Sequence, residues 1–124
     1  MSDGPMFLRN ESREISEEYA LTLVNRNGHN IRKIKNPTFA VKLAAIKESA
    51  FCIQYILDAE RDAVDPALVC AAIDRYPLSY NVIQNFIVPT DEMKMALVVR
   101  SPFLAKRYIT DLTPEIEFML KLIR

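Results

Sequence analysis

The chain has no tryptophan, one histidine, two cysteines and two glycines in 124 residues, and its formal net charge is zero. Each shortage excludes something. A structural zinc site takes about four Cys or His ligands, usually in close pairs. His29, Cys52 and Cys70 stand far apart and cannot supply one. Both cysteines lie in apolar runs, Phe51-Cys52-Ile53 and Val69-Cys70-Ala71, and read as small buried hydrophobes. Nothing in the spacing supports a disulfide. With Gly4 and Gly28 the only glycines, the chain has neither a P-loop nor a dinucleotide fingerprint. Ser79 and Ser101 lack any Gly-x-Ser-x-Gly context.

Charge of one sign is missing as well. Sixteen Lys plus Arg balance sixteen Asp plus Glu. The balance holds locally: residues 1–36 carry six basic and five acidic side chains, residues 37–64 three and four, and residues 65–124 seven and seven. No segment is a charged tail or a polybasic anchor. A pI near 6.6 lacks the footprint of a duplex binder. No stretch approaches the ~18–20 apolar residues of a membrane span. The first eleven residues hold no basic run followed by an apolar core, so no signal peptide is expected. The expectation is a cytoplasmic, reduced protein with no membrane partner.

What is present is a core. Half of the residues are hydrophobic and 26% are charged, which suits one folded domain of ordinary length. Clean alternation is rare and helix formers dominate. Asp65-Pro66 and Thr113-Pro114 read as N-cap followed by first helical residue, where proline loses no hydrogen bond. Pro37-Thr38 and Pro89-Thr90 place proline just outside a helix start. Ser16 followed by Glu17 and Glu18 makes a fifth start, with acids in the first turn. Helices are therefore expected to begin near residues 17, 38, 66, 91 and 114.

These starts belong to a repeat. Val24, Ile46, Ile73 and Val98 recur at intervals of 22, 27 and 25 residues. Three residues before them stand Leu21, Leu43, Cys70 and Met95, and two before stand Thr22, Ala44, Ala71 and Ala96, all small. Seven after come Ile31, Ile53, Tyr80 and Ala105, and ten after come Ile34, Ile56, Ile83 and Tyr108. Steps of three and four residues mark one helical face. Between the two apolar sets sit Asn27-Gly28, Ser49-Ala50, Tyr76-Pro77 and Ser101-Pro102, most of them turn pairs. Each unit reads as a helix of two to three turns, a tight turn and a second helix of about two turns, an αα-hairpin. Helices this short are marginal alone and hold only against neighbours. The expected fold is all-α: a short solenoid of about four αα-hairpin repeats, near 17–36, 38–57, 65–86 and 90–109, plus a C-terminal helix at 114–124. The linker at 57–64 has no breaker and is expected to extend the preceding helix by two turns.

The run Asn36-Pro37-Thr38-Phe39-Ala40-Val41-Lys42-Leu43-Ala44-Ala45-Ile46-Lys47-Glu48-Ser49-Ala50-Phe51-Cys52-Ile53-Gln54-Tyr55-Ile56 resembles a short helical hairpin repeat of bacterial and phage proteins. That repeat has the form Asn-Pro…Leu-Ala-Ala-Val-Lys-Gln-Asn-Gly…Ala-Ile-Gln-Tyr-Ile, and no function is assigned to it. The likeness is close over 36–56, moderate over 66–83 and weak at 17–34 and 91–109. It implies an all-helical repeat fold and supplies no catalytic residues. The chain departs from it at Ser49-Ala50, where Asn-Gly is common, and at Pro77 and Pro102, while Asn27-Gly28 keeps the pair. The unequal intervals argue against a perfectly regular superhelix.

Three features are candidates for function. His29, the residue that titrates near neutrality, aligns with Phe51, Leu78 and Phe103 and reads as partly buried at an apolar repeat position. A general base needs a nucleophile and an orienting carboxylate, which the sequence does not name. No catalytic, cofactor-binding or metal site is therefore expected, and the chain does not read as an enzyme. A second feature is a basic ladder: Arg26, Arg75 and Arg100 stand two residues after the anchors, with Glu48 in the second unit. Arg32-Lys33 and Lys106-Arg107 stand eight and nine after the first and last. This ladder is a candidate contact for an acidic protein partner or, against the zero net charge, for nucleic acid. The simpler reading is a solvated ridge with local ion pairs. The third feature is the C-terminal helix. Ile116, Met119, Leu120 and Ile123 form an ordinary docking stripe, and Phe118 and Leu122 add a second apolar flank. Either it lies as a lid on the stack, or Phe118, Leu122 and Met119 form a homodimer interface. The functional expectation is a non-enzymatic protein-interaction module, such as a phage-type inhibitor or adaptor acting on a bacterial host protein. The alternative is a nucleic-acid-binding protein using the arginine ridge. At the N-terminus, Met6, Phe7 and Leu8 are apolar enough to pack on the first hairpin.

Overall fold

The computed structural model describes residues 15–122. The expected packing of Met6, Phe7 and Leu8, and the last two residues of the C-terminal helix, lie outside the described residues. Within them the chain is helical, with no strand. The helices are α1 Glu17–Arg26, α2 Phe39–Glu48, α3 Ile53–Glu60, α4 Pro66–Arg75, α5 Ser79–Ile83, α6 Asp91–Arg100, α7 Pro102–Tyr108 and α8 Pro114–Leu122. Short 3-10 segments cover Gly28–Lys33, Ala50–Cys52 and Arg61–Ala63.

Each start has the side-chain cap that its sequence offers. The Tyr19 N–H donates to Ser16 Oγ, the Val41 N–H to Thr38 Oγ1, the Ala67 N–H to Asp65 Oδ1 and the Met93 N–H to Thr90 Oγ1. Thr113 Oγ1 accepts from the Ile116 N–H in the same way. A cap of this kind stabilises a helix by about 1 kcal/mol. The ends are equally uniform. α1, α2, α4 and α6 each stop at one extended residue, Asn27, Ser49, Tyr76 or Ser101, with φ between −151° and −157°. Each of those residues donates its N–H to the carbonyl four residues back. One extended residue redirects the chain into the next short element without needing glycine.

The four ten-residue helices pack side by side: α1 on α2, α2 on α4, and α4 on α6, with α8 against α6. Their C-terminal ends are neighbours, because Glu48 reaches the turn after α1 and Arg75 reaches the last turn of α2. The four helices therefore run in the same sense. Val24, Ile46, Ile73 and Val98 are all fully buried, as are Ala45, Ala72 and Leu97 just before three of them. Ala44, Ala71 and Ala96 are partly buried against the core and let adjacent helices approach. The buried residues form one continuous cluster from Ala20 to Leu120.

The structure departs from the sequence expectations in three places. The helix over 53–60 does not run on through 64: Arg61 takes φ 49°, and a 3-10 turn follows. No glycine or proline marks this stop. It is set by tertiary demand, since the chain must bury Val64 and bring Asp65 round to cap α4 beside α2. The Arg61 guanidinium lies over the Phe86 ring at 5.0 Å, which helps to offset the left-handed backbone. The second helices are also uneven, a 3-10 segment in the first unit and α-helices of eight, five and seven residues in α3, α5 and α7. Tyr19, five residues before Val24 and so expected on the same helical face as Val41, Leu68 and Met93 in the later helices, is exposed where those three are buried, because no helix precedes α1 among the described residues to cover it.

Candidate functional site

Parallel packing places the ends of α1, α2, α4 and α6 and the turns after them along one edge of the molecule. The residues two after each anchor lie there. In all three junctions this residue reaches back to the preceding unit. Glu48 Oε1 accepts from the Gly28 N–H at 2.7 Å. Arg75 Nε donates to the Lys47 carbonyl at 2.9 Å. Arg100 Nε stands 3.2 Å from Asp74 Oδ1. The choice of sign follows the target. Glu48 meets a free N–H at the start of a 3-10 segment, and Arg75 meets a free carbonyl at a helix C-terminus. Arg26 belongs to the first unit and is exposed.

Of the arginines expected to face a partner, Arg75 and Arg100 are each bonded to the preceding ten-residue helix. Arg32 and Lys33 are exposed at the end of their 3-10 segment, and Lys106 and Arg107 are exposed in the last turn of α7. The Arg32 guanidinium lies 5.2 Å from the centre of the Tyr55 ring. His29 is half-buried, and its Nδ1 is 2.9 Å from the Tyr55 hydroxyl, the rings meeting edge to face at 5.5 Å. A phenol fixes the ring without orienting it as a carboxylate orients a general base.

A second row was not anticipated. Sequence alignment gave the residues five after each anchor as partly buried apolar positions. His29 is half-buried, but Phe51, Leu78 and Phe103 are exposed, Phe103 to 73%. Phe51 meets Tyr76 edge to face at 5.3 Å. The pair forms a notch of about 210 Å³ with Ala50 and Arg75. Each member of the row stands two residues after the extended residue of its turn, Asn27, Ser49, Tyr76 or Ser101.

A third relationship is internal. Asn30 Nδ2 donates to the Leu23 carbonyl at 2.8 Å, and the Ser79 hydroxyl donates to the Ala72 carbonyl at 2.9 Å. Both residues stand six after their anchor and clasp the end of the helix seven residues earlier. Cys52 holds the same position, and Leu104 replaces the polar residue in the last unit. Only Asn30 and Ser79 are polar at this position, so the sequence carried little signal for the clasp. Ser79 is fully buried in this clasp.

Both thiols are free. Burial, with the Glu48 carboxylate nearby, pushes the Cys52 thiol up to about 11. Burial raises Cys70 as well, helped by Glu92 and Asp74. Such thiols are poor nucleophiles. Among the described residues no three His, Cys, Asp or Glu side chains cluster as metal ligands would. No helix of the described residues is long and apolar enough to cross a membrane.

At the other end of the stack, Ile116 and Leu120 bury α8, and Met119 packs partly against the core. Phe118 and Leu122 are exposed to 61% and 62%. Lys94, 8% exposed at the base of α6, donates to the Asp111 carbonyl at 3.1 Å and so ties the loop before α8 to α6. Comparison of the chain with protein-family profiles, with curated proteins and with solved structures gives no match.

Proposed function

We propose that the chain is a non-enzymatic protein-interaction module, built as a short solenoid of four αα-hairpin repeats plus a C-terminal helix. The observation that carries this reading is the common fate of equivalent positions. The four anchors are all buried, the four helix ends share one backbone geometry, and the residues two after the anchors join each unit to the one before. A stack of this kind presents a long edge of repeated side chains, and edges of this kind bind partners. Supporting residues for contact are Arg26, Arg32, Lys33, Lys106 and Arg107, with Arg75 and Arg100 contributing what their inter-unit bonds leave free. The resemblance of residues 36–56 to a repeat of bacterial and phage proteins supports a phage-type inhibitor or adaptor of a bacterial host protein, acting in the cytoplasm. Exposed Phe118 and Leu122, one helical turn apart on α8, support a homodimer through that helix.

Affinity capture from a bacterial lysate, with the mass followed by light scattering, tests the module. A defined stoichiometric partner is expected; a monomer that captures nothing would contradict it. The second reading, a nucleic-acid binder, draws on exposed Arg26 and the arginine row. It predicts a gel shift at low salt that is lost in Arg26→Glu, Arg75→Glu and Arg100→Glu variants.

A further inference from the structure

We infer that the turn edge docks an acidic, extended segment of a protein partner that carries an apolar side chain at every third residue; this rests on the interaction-module reading. The edge combines two things seldom exposed together. One is the row of Phe51, Leu78 and Phe103, with Tyr76 beside Phe51. The other is cationic: the last turns of α1, α2, α4 and α6 carry Arg26, Lys47, Arg75 and Arg100, all exposed. The carboxylates among them are already occupied, Glu48 by the Gly28 N–H and Asp74 by Arg100. Arg26 and Lys47 remain for an incoming anion. So do the outer donors of Arg75, which lines the Phe51–Tyr76 notch while only its Nε is committed.

Spacing selects the conformation of the occupant. Helices packed side by side lie about 8–10 Å apart, so successive members of the row repeat at that interval. A polyproline II segment has three residues per turn and rises about 3.1 Å per residue. Its same-face side chains recur about every 9 Å. One apolar residue in three therefore meets Phe51, then Leu78, then Phe103. The two acidic residues between are free to face the cations. A nucleic-acid strand fits less well. The chain carries no net positive charge to hold a phosphate backbone, and Leu78 between Phe51 and Phe103 offers no ring for a base to stack on.

The probes are three fluorescein-labelled molecules read by anisotropy: a ten-residue peptide with Leu at every third position and Glu elsewhere, the same composition with its leucines contiguous, and oligo-dT of equal length. The register peptide is expected to bind at least about tenfold tighter than the other two, the gain of one well-placed apolar anchor. Its binding should weaken with salt. A Phe51→Ser/Phe103→Ser variant should lose at least about tenfold in affinity, and Phe103→Ser alone, at a side chain 73% exposed, should weaken binding with the thermal midpoint unchanged. Equal binding of the scrambled peptide, tighter binding of oligo-dT, or no peptide binding would each overturn the docking strip. A partner captured from lysate that still binds the Phe51→Ser/Phe103→Ser variant would also overturn it, while leaving the interaction module standing.

Discussion

Glu48 and Gly28 are joined across the first two units by a 2.7 Å hydrogen bond, and the glycine is there for space rather than for its backbone angle. No glycine in the described residues has positive φ. A Cβ on Gly28 would lie 2.7 Å from the Ala45 carbonyl oxygen and 3.0 Å from both Cys52 Sγ and Glu48 Oε1. The carbonyl is backbone and cannot yield without moving α2. Gly28→Ala should therefore destabilise by about 2–3 kcal/mol, as overpacking does. Glu48→Ala should cost about 1–3 kcal/mol by leaving the buried Gly28 N–H without an acceptor. Glu48→Gln keeps an acceptor and should cost clearly less. Urea titration of the three variants checks the order.

The clasps made by Asn30 and Ser79 give a second expectation. Ser79→Ala removes a buried hydroxyl from the Ala72 carbonyl and should cost about 1 kcal/mol, or about 4 °C in thermal midpoint. Asn30→Ala should cost a similar amount through the Leu23 carbonyl. If Ser79 were a nucleophile rather than a clasp, its loss would leave the thermal midpoint in place. Scanning calorimetry separates the two.

The C-terminal helix has two faces with separate roles. Ile116→Ala, in the face buried against the stack, should destabilise by about 2–4 kcal/mol. Phe118→Ser and Leu122→Ser, in the exposed face, should change stability by less than about 0.5 kcal/mol. They should lower the sedimentation mass if α8 joins two copies. An unchanged mass at high concentration would leave α8 as a lid alone.

Alkaline pH should weaken the fold. Cys52 is pushed from 9.0 to about 11 and Tyr80 from 10.0 to about 12, both chiefly by burial. Above pH 9 the unfolded chain releases these protons while the folded chain holds them. Their stabilising contribution is complete below pH 9 and is lost as pH rises through the folded values, a fall on the order of 1–3 kcal/mol. The urea midpoint should decline from pH 9 upward, and Cys52→Ala should shallow the slope between pH 9 and 11. An unchanged slope in that variant would assign the decline elsewhere.

The sequence reading reached the helix starts because each is encoded locally, by Ser16, Thr38, Asp65, Thr90 and Thr113 with the prolines beside them. It located the core through Val24, Ile46, Ile73 and Val98, because burial and helical periodicity act over a few residues. It missed the stop at Arg61, which no local residue marks and which the route to α4 imposes. The site was harder to read. Arg75 and Arg100 look alike in sequence whether they face a partner or the neighbouring unit, and only the placement of Lys47 and Asp74 decides. The exposure of Phe51, Leu78 and Phe103, each two residues after an extended residue, is likewise a property that apolar periodicity does not carry.

Native-state hydrogen exchange tests the stacking of units most directly. If each unit is held by its immediate neighbours, amides in α2, α4 and α6, flanked on both sides, should be the most protected. α1 and α8 at the ends should open separately, at lower free energy than the centre. A single opening free energy shared by α1, α2, α4, α6 and α8 would contradict the stack and would describe one indivisible core instead.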